Sequence, residues 1–193
     1  MMEHKKKLRD DIVFSASLRN QSLVFHSTWG LFSPEKIDEG TRLLIDHVSV
    51  RESDTILDFG CGYGAIGIAM AKLAPSGIVH MVDNNFVAIE YTEKNIEGNG
   101  LKNCQVYLSN GLSAVPEIGI DLIVSNLPAK VSKEWFWIFL EDTHRVLRPG
   151  GSLVVVTISG LREFIKRNFQ DYFGNYEKLK QGRAYTVSIA KKS

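Results

Sequence analysis

One stretch of the chain, residues 55–70, constrains the fold more than any other; it reads Thr-Ile-Leu-Asp-Phe-Gly-Cys-Gly-Tyr-Gly-Ala-Ile-Gly-Ile-Ala-Met. The apolar run from Thr55 to Leu57 predicts a buried strand that ends at Asp58, and three alternate glycines then break the extended geometry. From Ala65 onward, small and apolar residues recur as they do on a helix packed against a sheet. A strand, a glycine turn and a helix in this order form half of a βαβ unit, whose loop lets the backbone approach a ligand closely.

Two classes of cofactor use such a turn. The spacing Gly62-x-Gly64-x-x-Gly67 formally matches the dinucleotide-binding fingerprint, although this motif alone is weak evidence. A dinucleotide carries a pyrophosphate, which needs a helix N-terminus free of competing negative charge, and Asp58 ends the strand beside that terminus. S-adenosylmethionine carries a sulfonium and an ammonium but no phosphate, so it is compatible with the carboxylate. The stretch therefore favours a methyl donor; the alternative is a glycine-rich connection in which Asp58 caps the helix.

Composition limits the class of protein. A chain of 193 residues with 44% hydrophobic and 23% charged residues suits one soluble globular domain. The formal net charge is +1, so a surface for nucleic acid must be local. Cys61, Cys104 and the histidines lack metal-ligand spacing, so we expect no metal and a reducing, cytoplasmic setting. No signal peptide or membrane-spanning run is visible.

The second predicted strand, Ile78 to Val82, ends at Asp83, 25 residues after Asp58. A carboxylate at this place can accept hydrogen bonds from both hydroxyls of a ribose. Asn84 follows directly and is assigned to the same cofactor site. The alternative role of Asp83 is a helix cap.

Two segments resemble known proteins. The spacing Asp58-x-Gly60-x-Gly62-x-Gly64 resembles the nucleotide-binding loop of class I methyltransferases. Upstream, Phe32-Ser33 followed by Asp38-x-Gly40-Thr41-x-Leu43-Leu44 resembles the segment before that loop in the methyltransferase-small-domain family, which includes ribosomal RNA guanine-N2 methyltransferases and compact archaeal relatives. The resemblance implies that Gly40 and Thr41 lie near the methionine end of the cofactor; plain helix packing is the alternative. Ser33 and Pro34 predict the start of this helix.

The resemblance also assigns roles to the next two strand ends. After the strand Cys104 to Leu108, Asn110 would accept a hydrogen bond from the adenine amino group, with Gly111 beside it, although Asn-Gly is also an ordinary turn. After the strand Ile120 to Val124, Asn126 and Pro128 keep part of the Asn-Pro-Pro-aromatic corner of amino-methylating enzymes.

In those enzymes the corner accepts hydrogen bonds from the target amine, so the resemblance makes Asn126 and Pro128 catalytic and places Asn126 next to the cofactor. Leu127 and Ala129 depart from the pattern, and the aromatic ring that would stack on a flat base is absent. This departure leaves the substrate open. A tight turn without a catalytic role is the alternative.

The C-terminal part predicts how the sheet ends. The motif Val146-Leu-Arg-Pro-Gly-Gly151 resembles one that recurs in class I methyltransferases, and a strand is predicted after it from Ser152 to Ile158. Tyr176 to Leu179 and Tyr185 to Ala190 then predict an antiparallel hairpin. We therefore expect an α/β, three-layer, Rossmann-like sandwich around a seven-stranded, mostly parallel sheet with a terminal antiparallel hairpin. Dinucleotide folds usually continue with parallel crossovers, which is a second argument against NAD.

The sequence predicts the following organisation and function. Residues 1–21 form a basic, partly flexible N-terminal segment, whose lysines and arginine at positions 5–7 and 9 could contact RNA, and residues 22–193 form the methyltransferase domain. We expect methyl transfer from S-adenosylmethionine to an exocyclic amine, best matched by guanine N2 of rRNA or tRNA. A small-molecule or protein methyltransferase and a catalytically silent binding module are the alternatives. RNA is the expected partner, with no membrane, and the oligomeric state is open.

Overall fold

The computed structural model describes residues 10–116, 119–130 and 132–193. The basic residues predicted to contact RNA at positions 5–7 and 9 lie outside these ranges. The strands are β1 (Ile12–Leu18), β2 (Gln21–Ser27), β3 (Thr55–Phe59), β4 (Ile78–Asp83), β5 (Cys104–Leu108), β6 (Ile120–Asn126), β7 (Leu147–Ile158), β8 (Glu177–Gln181) and β9 (Tyr185–Lys191). The helices are α1 (Glu39–His47), α2 (Ala65–Leu73), α3 (Phe86–Gly98), α4 (Lys133–Val146) and α5 (Arg162–Phe173), with a short 3-10 turn (Ser159–Leu161) before α5.

Seven strands form one sheet in the order β5-β4-β3-β6-β7-β9-β8. The five strands from β5 to β7 pair in parallel, and β9 runs antiparallel to both of its neighbours. The predicted fold class, a mostly parallel Rossmann-like sheet with a terminal antiparallel hairpin, is confirmed. The chain changes direction of winding between β3 and β6, and open α/β sheets bind their ligands at such a switch point.

Each face of the sheet has its own core, and alternation along β6 shows how the sequence specifies both. Leu122 and Val124 belong to the core beneath α1, α2 and α3, whereas Ile123 between them belongs to the core beneath α4 and α5. Because successive side chains of a strand point to opposite faces, a strand buried on both sides must be apolar throughout. The central strands therefore lack the alternation of exposed and partly buried residues seen in β1.

The N-terminal hairpin of β1 and β2 packs against α3 as a separate two-stranded sheet. Leu23 and Phe25 are fully buried, and the side-chain amide of Asn95 both accepts from the His26 amide and donates to the His26 carbonyl, at 2.6 and 2.8 Å. The boundary predicted between residues 21 and 22 falls within β2, directly after the first residue of this strand.

Helix α1 begins five residues later than predicted. Its N-cap is Asp38, whose side chain accepts a hydrogen bond from the Thr41 amide at 3.1 Å. Ser33 instead has a positive φ of 48° and donates through its hydroxyl to the Lys36 carbonyl at 2.7 Å, within a run of turns. A carboxylate at the N-cap is favoured by the helix dipole as well as by the hydrogen bond, which explains why the helix begins here.

Cys61 and Cys104 are both free thiols. Among the described residues, no helix has the length and apolar character needed to cross a membrane.

Candidate cofactor and substrate cleft

The glycine loop leaves β3 at the carboxyl edge of the sheet. The amides of Gly60 and Cys61 both donate to the Val82 carbonyl at 2.9 Å, which turns the chain sharply across the end of β4. Gly60 and Gly62 have φ angles of +70° and +58°, and a Cβ added to either would meet no atom within 4 Å. These two glycines therefore border open space in a backbone conformation that other residues adopt only with strain.

Gly64 differs from the other two glycines. Its φ is +90°, but an added Cβ would lie 3.1 Å from Ile68 and 3.2 Å from Thr92. The left-handed φ and the close approach of these two side chains both favour glycine at this position, which contributes to the site by shaping the loop.

Asp83 ends β4 and holds the loop in place. Its Oδ2 accepts a hydrogen bond from the Gly62 amide at 2.9 Å, and its Oδ1 accepts from the Asn85 amide at 2.9 Å. A carboxylate oxygen has two lone pairs, so each keeps one for a further donor such as a ribose hydroxyl. The side chain is both a structural link in the loop and an available bidentate acceptor.

Asp58 lies beneath the loop rather than in the cleft. It is fully buried, its Oδ2 accepts from the Gly67 amide at 2.7 Å, and its Oδ1 has no hydrogen-bond partner in the described part of the chain. Burial, with the nearby charge of Asp83 as a smaller cause, raises the pKa of Asp58 to about 7. The sequence placed this carboxylate in the cofactor site, whereas in the structure it supports the first turn of α2.

Asn126 ends β6 and is fixed by α1. Its Nδ2 donates to Asp38 Oδ2 at 3.1 Å and to Thr41 Oγ1 at 3.0 Å. Because an ionised carboxylate can only accept, the amide nitrogen must be the end that faces Asp38, and Oδ1 is left as an acceptor. The other oxygen of Asp38 accepts from the Tyr185 hydroxyl at 3.1 Å, which adds β9 to the same network.

Gly40 allows this network to form. A Cβ on Gly40 would lie 2.7 Å from the Tyr185 ring and 2.9 Å from Asp38 Oδ2. The resemblance made Gly40 a neighbour of the cofactor; the structure gives it a packing role against Tyr185, while Thr41 beside it lines the cleft.

Two adjoining cavities, of about 330 and 280 Å³, form the cleft. They share the residues Gly60, Asp83, Asn126 and Pro128. Thr41 and Gly62 line the first cavity, and Asn84, Asn110 and Gly111 line the second. The structure thus brings most of the predicted site residues together around one cleft, and it leaves three outside the two linings, namely Gly40, Asp58 and Gly64.

Sequence reasoning missed several residues of the cleft. Asp38 belongs to the segment that resembles the methyltransferase-small-domain family, but its contact with Asn126 joins residues 88 positions apart and has no local sequence signal. Tyr185 has the pattern of an ordinary strand residue. Phe32 lines the first cavity with 64% of its surface exposed. Trp135 lines the second cavity and stacks on Phe139 with ring centroids 5.5 Å apart.

The residues of the cleft fit S-adenosylmethionine. Gly60 and Gly62 leave the space that a ligand needs, and Asp83 retains acceptors for a ribose. Among the described lining residues, Asp38 and Asp83 are the charged ones, and neither Lys nor Arg is present. Such a lining suits a cationic sulfonium and ammonium and does not suit a pyrophosphate. No cluster of three metal-ligating side chains occurs within the described ranges.

The sheet order, the glycine loop and the acceptors at its strand ends define a class I, S-adenosylmethionine-dependent methyltransferase domain. The model of the methyltransferase small domain family matches residues 22–188, and the chain belongs to this family.

Similar proteins include both compact and longer chains. Uncharacterized protein YbxB of Bacillus subtilis is 32% identical over 93% of this chain and 90% of its own length. Ribosomal RNA small subunit methyltransferase C of Hahella chejuensis is 38% identical over 66% of this chain, but over 38% of its own length. The structure of the T. thermophilus 16S rRNA N2 methyltransferase (RsmC), in complex with AdoMet and guanosine, has a TM-score of 0.85 and 28% identity, and covers 95% of this chain and 51% of that one. This chain therefore spans about half, or less, of the rRNA methyltransferases named here.

Proposed function

We propose that this protein transfers the methyl group of S-adenosylmethionine to the exocyclic amine of a guanine in ribosomal or transfer RNA. The observation that carries the proposal is the orientation of Asn126. Its amide nitrogen is engaged by Asp38 and Thr41, so its oxygen is free to accept a hydrogen bond at the edge of the cleft. An acceptor held in this way is suited to an N–H donor on the substrate.

The chemistry requires positioning more than acid–base catalysis. The cofactor, when bound, supplies a methyl group on a positively charged sulfur. The target amine forms a new N–C bond as the S–C bond breaks, and the amine then loses its extra proton to water. Asn126 Oδ1 would accept an N–H of the amine before attack and so aim the nitrogen lone pair, while Pro128 stiffens the adjoining backbone. No strongly basic side chain is needed, because the nitrogen becomes acidic only after it is methylated.

Similarity supports RNA as the substrate. The relative from H. chejuensis is named for ribosomal RNA, and the solved T. thermophilus neighbour carries guanosine beside AdoMet. We further propose that the protein acts in the cytoplasm, where such RNA is found.

One observation favours a second candidate. Leu127 is buried and Ala129 carries no ring, so the corner lacks the flat surface on which a base would stack. A methyltransferase acting on a small molecule or a protein side chain would not need that surface.

The test is transfer of tritiated methyl groups to RNA purified from a source strain that lacks this protein, with protein and small-molecule extracts of the same strain assayed in parallel. We expect labelled guanine in RNA with the wild type and loss of the label with Asn126→Ala. Label in another extract would replace the RNA proposal by the second candidate. Cofactor binding without label in any extract would indicate a silent binding module.

A further inference from the structure

Charge is strongly separated along the chain. Residues 162–193 contain eight lysines and arginines against three acidic residues, a net charge of +5. Residues 10–161 contain eleven against eighteen, a net charge of −7. The basic segment supplies α5, β8 and β9, and these last two strands end the sheet on one side. A chain that is nearly neutral as a whole therefore carries a local positive surface.

We define the basic edge as five side chains at the junction of α5 with the terminal hairpin: Arg162, Lys166, Lys178, Lys180 and Arg183. Arg162 Nη1 and Lys178 Nζ both donate to the same neutral acceptor, Gln181 Oε1, at 3.3 and 3.2 Å. Lys166 follows Arg162 by one helical turn on the same side of α5. Two cations that converge on an amide oxygen repel each other unless an anion joins them.

Little negative charge of the protein offsets the basic edge. Arg162 pairs with Glu163, and in the described part of the chain the other four side chains of the edge form no ion pair. These four are also exposed to solvent. Their positive charge is therefore available to an external anion.

The basic edge adjoins the cleft. Ile158 and Tyr185 line the first cavity, at the end of β7 and the start of β9. From Ile158 the chain reaches Arg162 after the short 3-10 turn, and Arg183 lies two residues before Tyr185. The chain therefore connects the wall of the first cavity directly to the basic edge at two places, after Ile158 and before Tyr185.

The cleft and the edge have opposite electrostatic characters. Asp38 and Asp83 line the cleft, which is unsuited to phosphate groups, while the rim offers the exposed Phe32 ring to a flat base. We propose that the basic edge binds the ribose–phosphate backbone of the RNA substrate, whose target base alone enters the cleft. This inference rests on the proposed function and adds the path of the strand. An RNA is favoured over an acidic protein because every nucleotide of an RNA carries both an anionic phosphate and a flat base.

The experiment measures RNA binding separately from catalysis. A short fluorescein-labelled RNA is titrated with the full chain at several salt concentrations and followed by anisotropy, for the wild type and for Lys178→Gln/Lys180→Gln/Arg183→Gln. Loss of three phosphate contacts should weaken binding by about tenfold or more and should lower the slope of log K against log salt by roughly 0.7 for each contact. Cofactor affinity should not change, since none of the three side chains lines the cleft in the described structure.

The control is Lys94→Gln/Lys102→Gln, which removes two positive charges instead of three from exposed lysines on and after α3, near the opposite edge of the sheet. Lys94 is paired with Asp11, so the losses in the two variants are compared per charge removed. We expect RNA affinity and salt slope close to those of the wild type. Equal losses per charge removed in the two variants would mean that net charge alone governs binding. An unchanged slope in the triple variant would place the RNA elsewhere, and either result overturns the proposal. If the wild type methylates no RNA, the proposed function fails, whereas the binding titration still decides on the basic edge.

Discussion

The side-chain nitrogen of Asn126 lies 3.1 Å from Oδ2 of Asp38, so the end of the central strand β6 is joined to the N-cap of α1. Asp38 holds three donors at once: this amide, the Thr41 backbone amide and the Tyr185 hydroxyl. One carboxylate thereby fixes the orientation of the proposed amine acceptor and also caps a helix. The geometry of the proposed catalytic corner is determined as much by α1 and β9 as by its own short sequence.

Removal of the Asn126 side chain should separate catalysis from cofactor binding. We expect Asn126→Ala to lower kcat by about 10²-fold or more, because the target amine is no longer oriented toward the methyl group in a reaction that depends on positioning. Cofactor affinity, measured by calorimetry, should stay near the wild-type value. Asn110→Ala is the matched control, since this asparagine lines only the second cavity and should lose cofactor affinity instead. Wild-type turnover in Asn126→Ala would exclude the acceptor role.

The contact between Gly40 and Tyr185 can be tested by relief of a clash. Gly40→Ala should impair folding or activity, because the new Cβ would lie 2.7 Å from the Tyr185 ring. In a Tyr185→Ala background the same change should cost less, with the contact of 2.9 Å to Asp38 Oδ2 as the remaining cost. The difference is measured as coupling in a double-mutant cycle of urea unfolding. Additive losses would mean that Gly40 serves another purpose, such as contact with the cofactor.

Asp83→Ala should weaken cofactor binding by roughly 1.5–3 kcal/mol, the scale of hydrogen bonds to a charged acceptor. The loop should also loosen, because the variant removes the acceptor of the Gly62 amide. Asp83→Asn is the control: it keeps one oxygen and most of the size while removing the charge, so an intermediate affinity is expected. Calorimetry with equal affinities for a folded Asp83→Ala and the wild type would rule out a contact with the ribose.

The sequence predicted the sheet well and the interior of the site less well. The glycine loop, Asp83 and the terminal hairpin are local signals, because strand ends and tight turns depend on neighbouring residues. The start of α1 and the role of Asp38 depend on contacts with β6 and β9, which no local pattern encodes. Asp58 shows a similar dependence: the sequence predicts its position at a strand end, but whether it faces the cleft or caps α2 is decided by the pleat and the turn of the loop.

Burial of Asp58 predicts an unusual dependence of stability on pH. Its pKa is raised from 3.8 to about 7 in the folded protein. Between these values the folded chain keeps a proton that the unfolded chain has lost, so the free energy of unfolding should fall as pH rises from about 4 to 7, by up to about 4 kcal/mol. Asp58→Asn retains an acceptor for the Gly67 amide but cannot ionise.

The measurement is urea unfolding at several pH values between 4 and 8. The amide of Asp58→Asn adds a buried donor whose cost does not vary with pH, so the informative quantity is the slope and not the absolute stability. We expect the wild type to lose stability relative to the variant over this range. Parallel curves would show that Asp58 is ionised in the folded protein throughout.

Phe32 should act on substrate binding, because its exposed ring borders the same cavity as Asn126, Pro128 and Ala129. Stacking of a base on an aromatic side chain contributes about 1–3 kcal/mol, so Phe32→Ala should raise KM for RNA by roughly five- to a hundredfold while leaving cofactor affinity unchanged.

Phe86→Ala is the matched control: this ring is similarly exposed at the start of α3, and it lies outside both described cavity linings. Phe32→Trp should retain the wild-type KM because it preserves a flat surface. A ring added at the neighbouring corner by Ala129→Phe should restore much of the lost binding in the Phe32→Ala background. Loss of activity in Phe32→Ala that neither Trp at position 32 nor Phe at position 129 corrects would show that the ring supports the loop instead of the base.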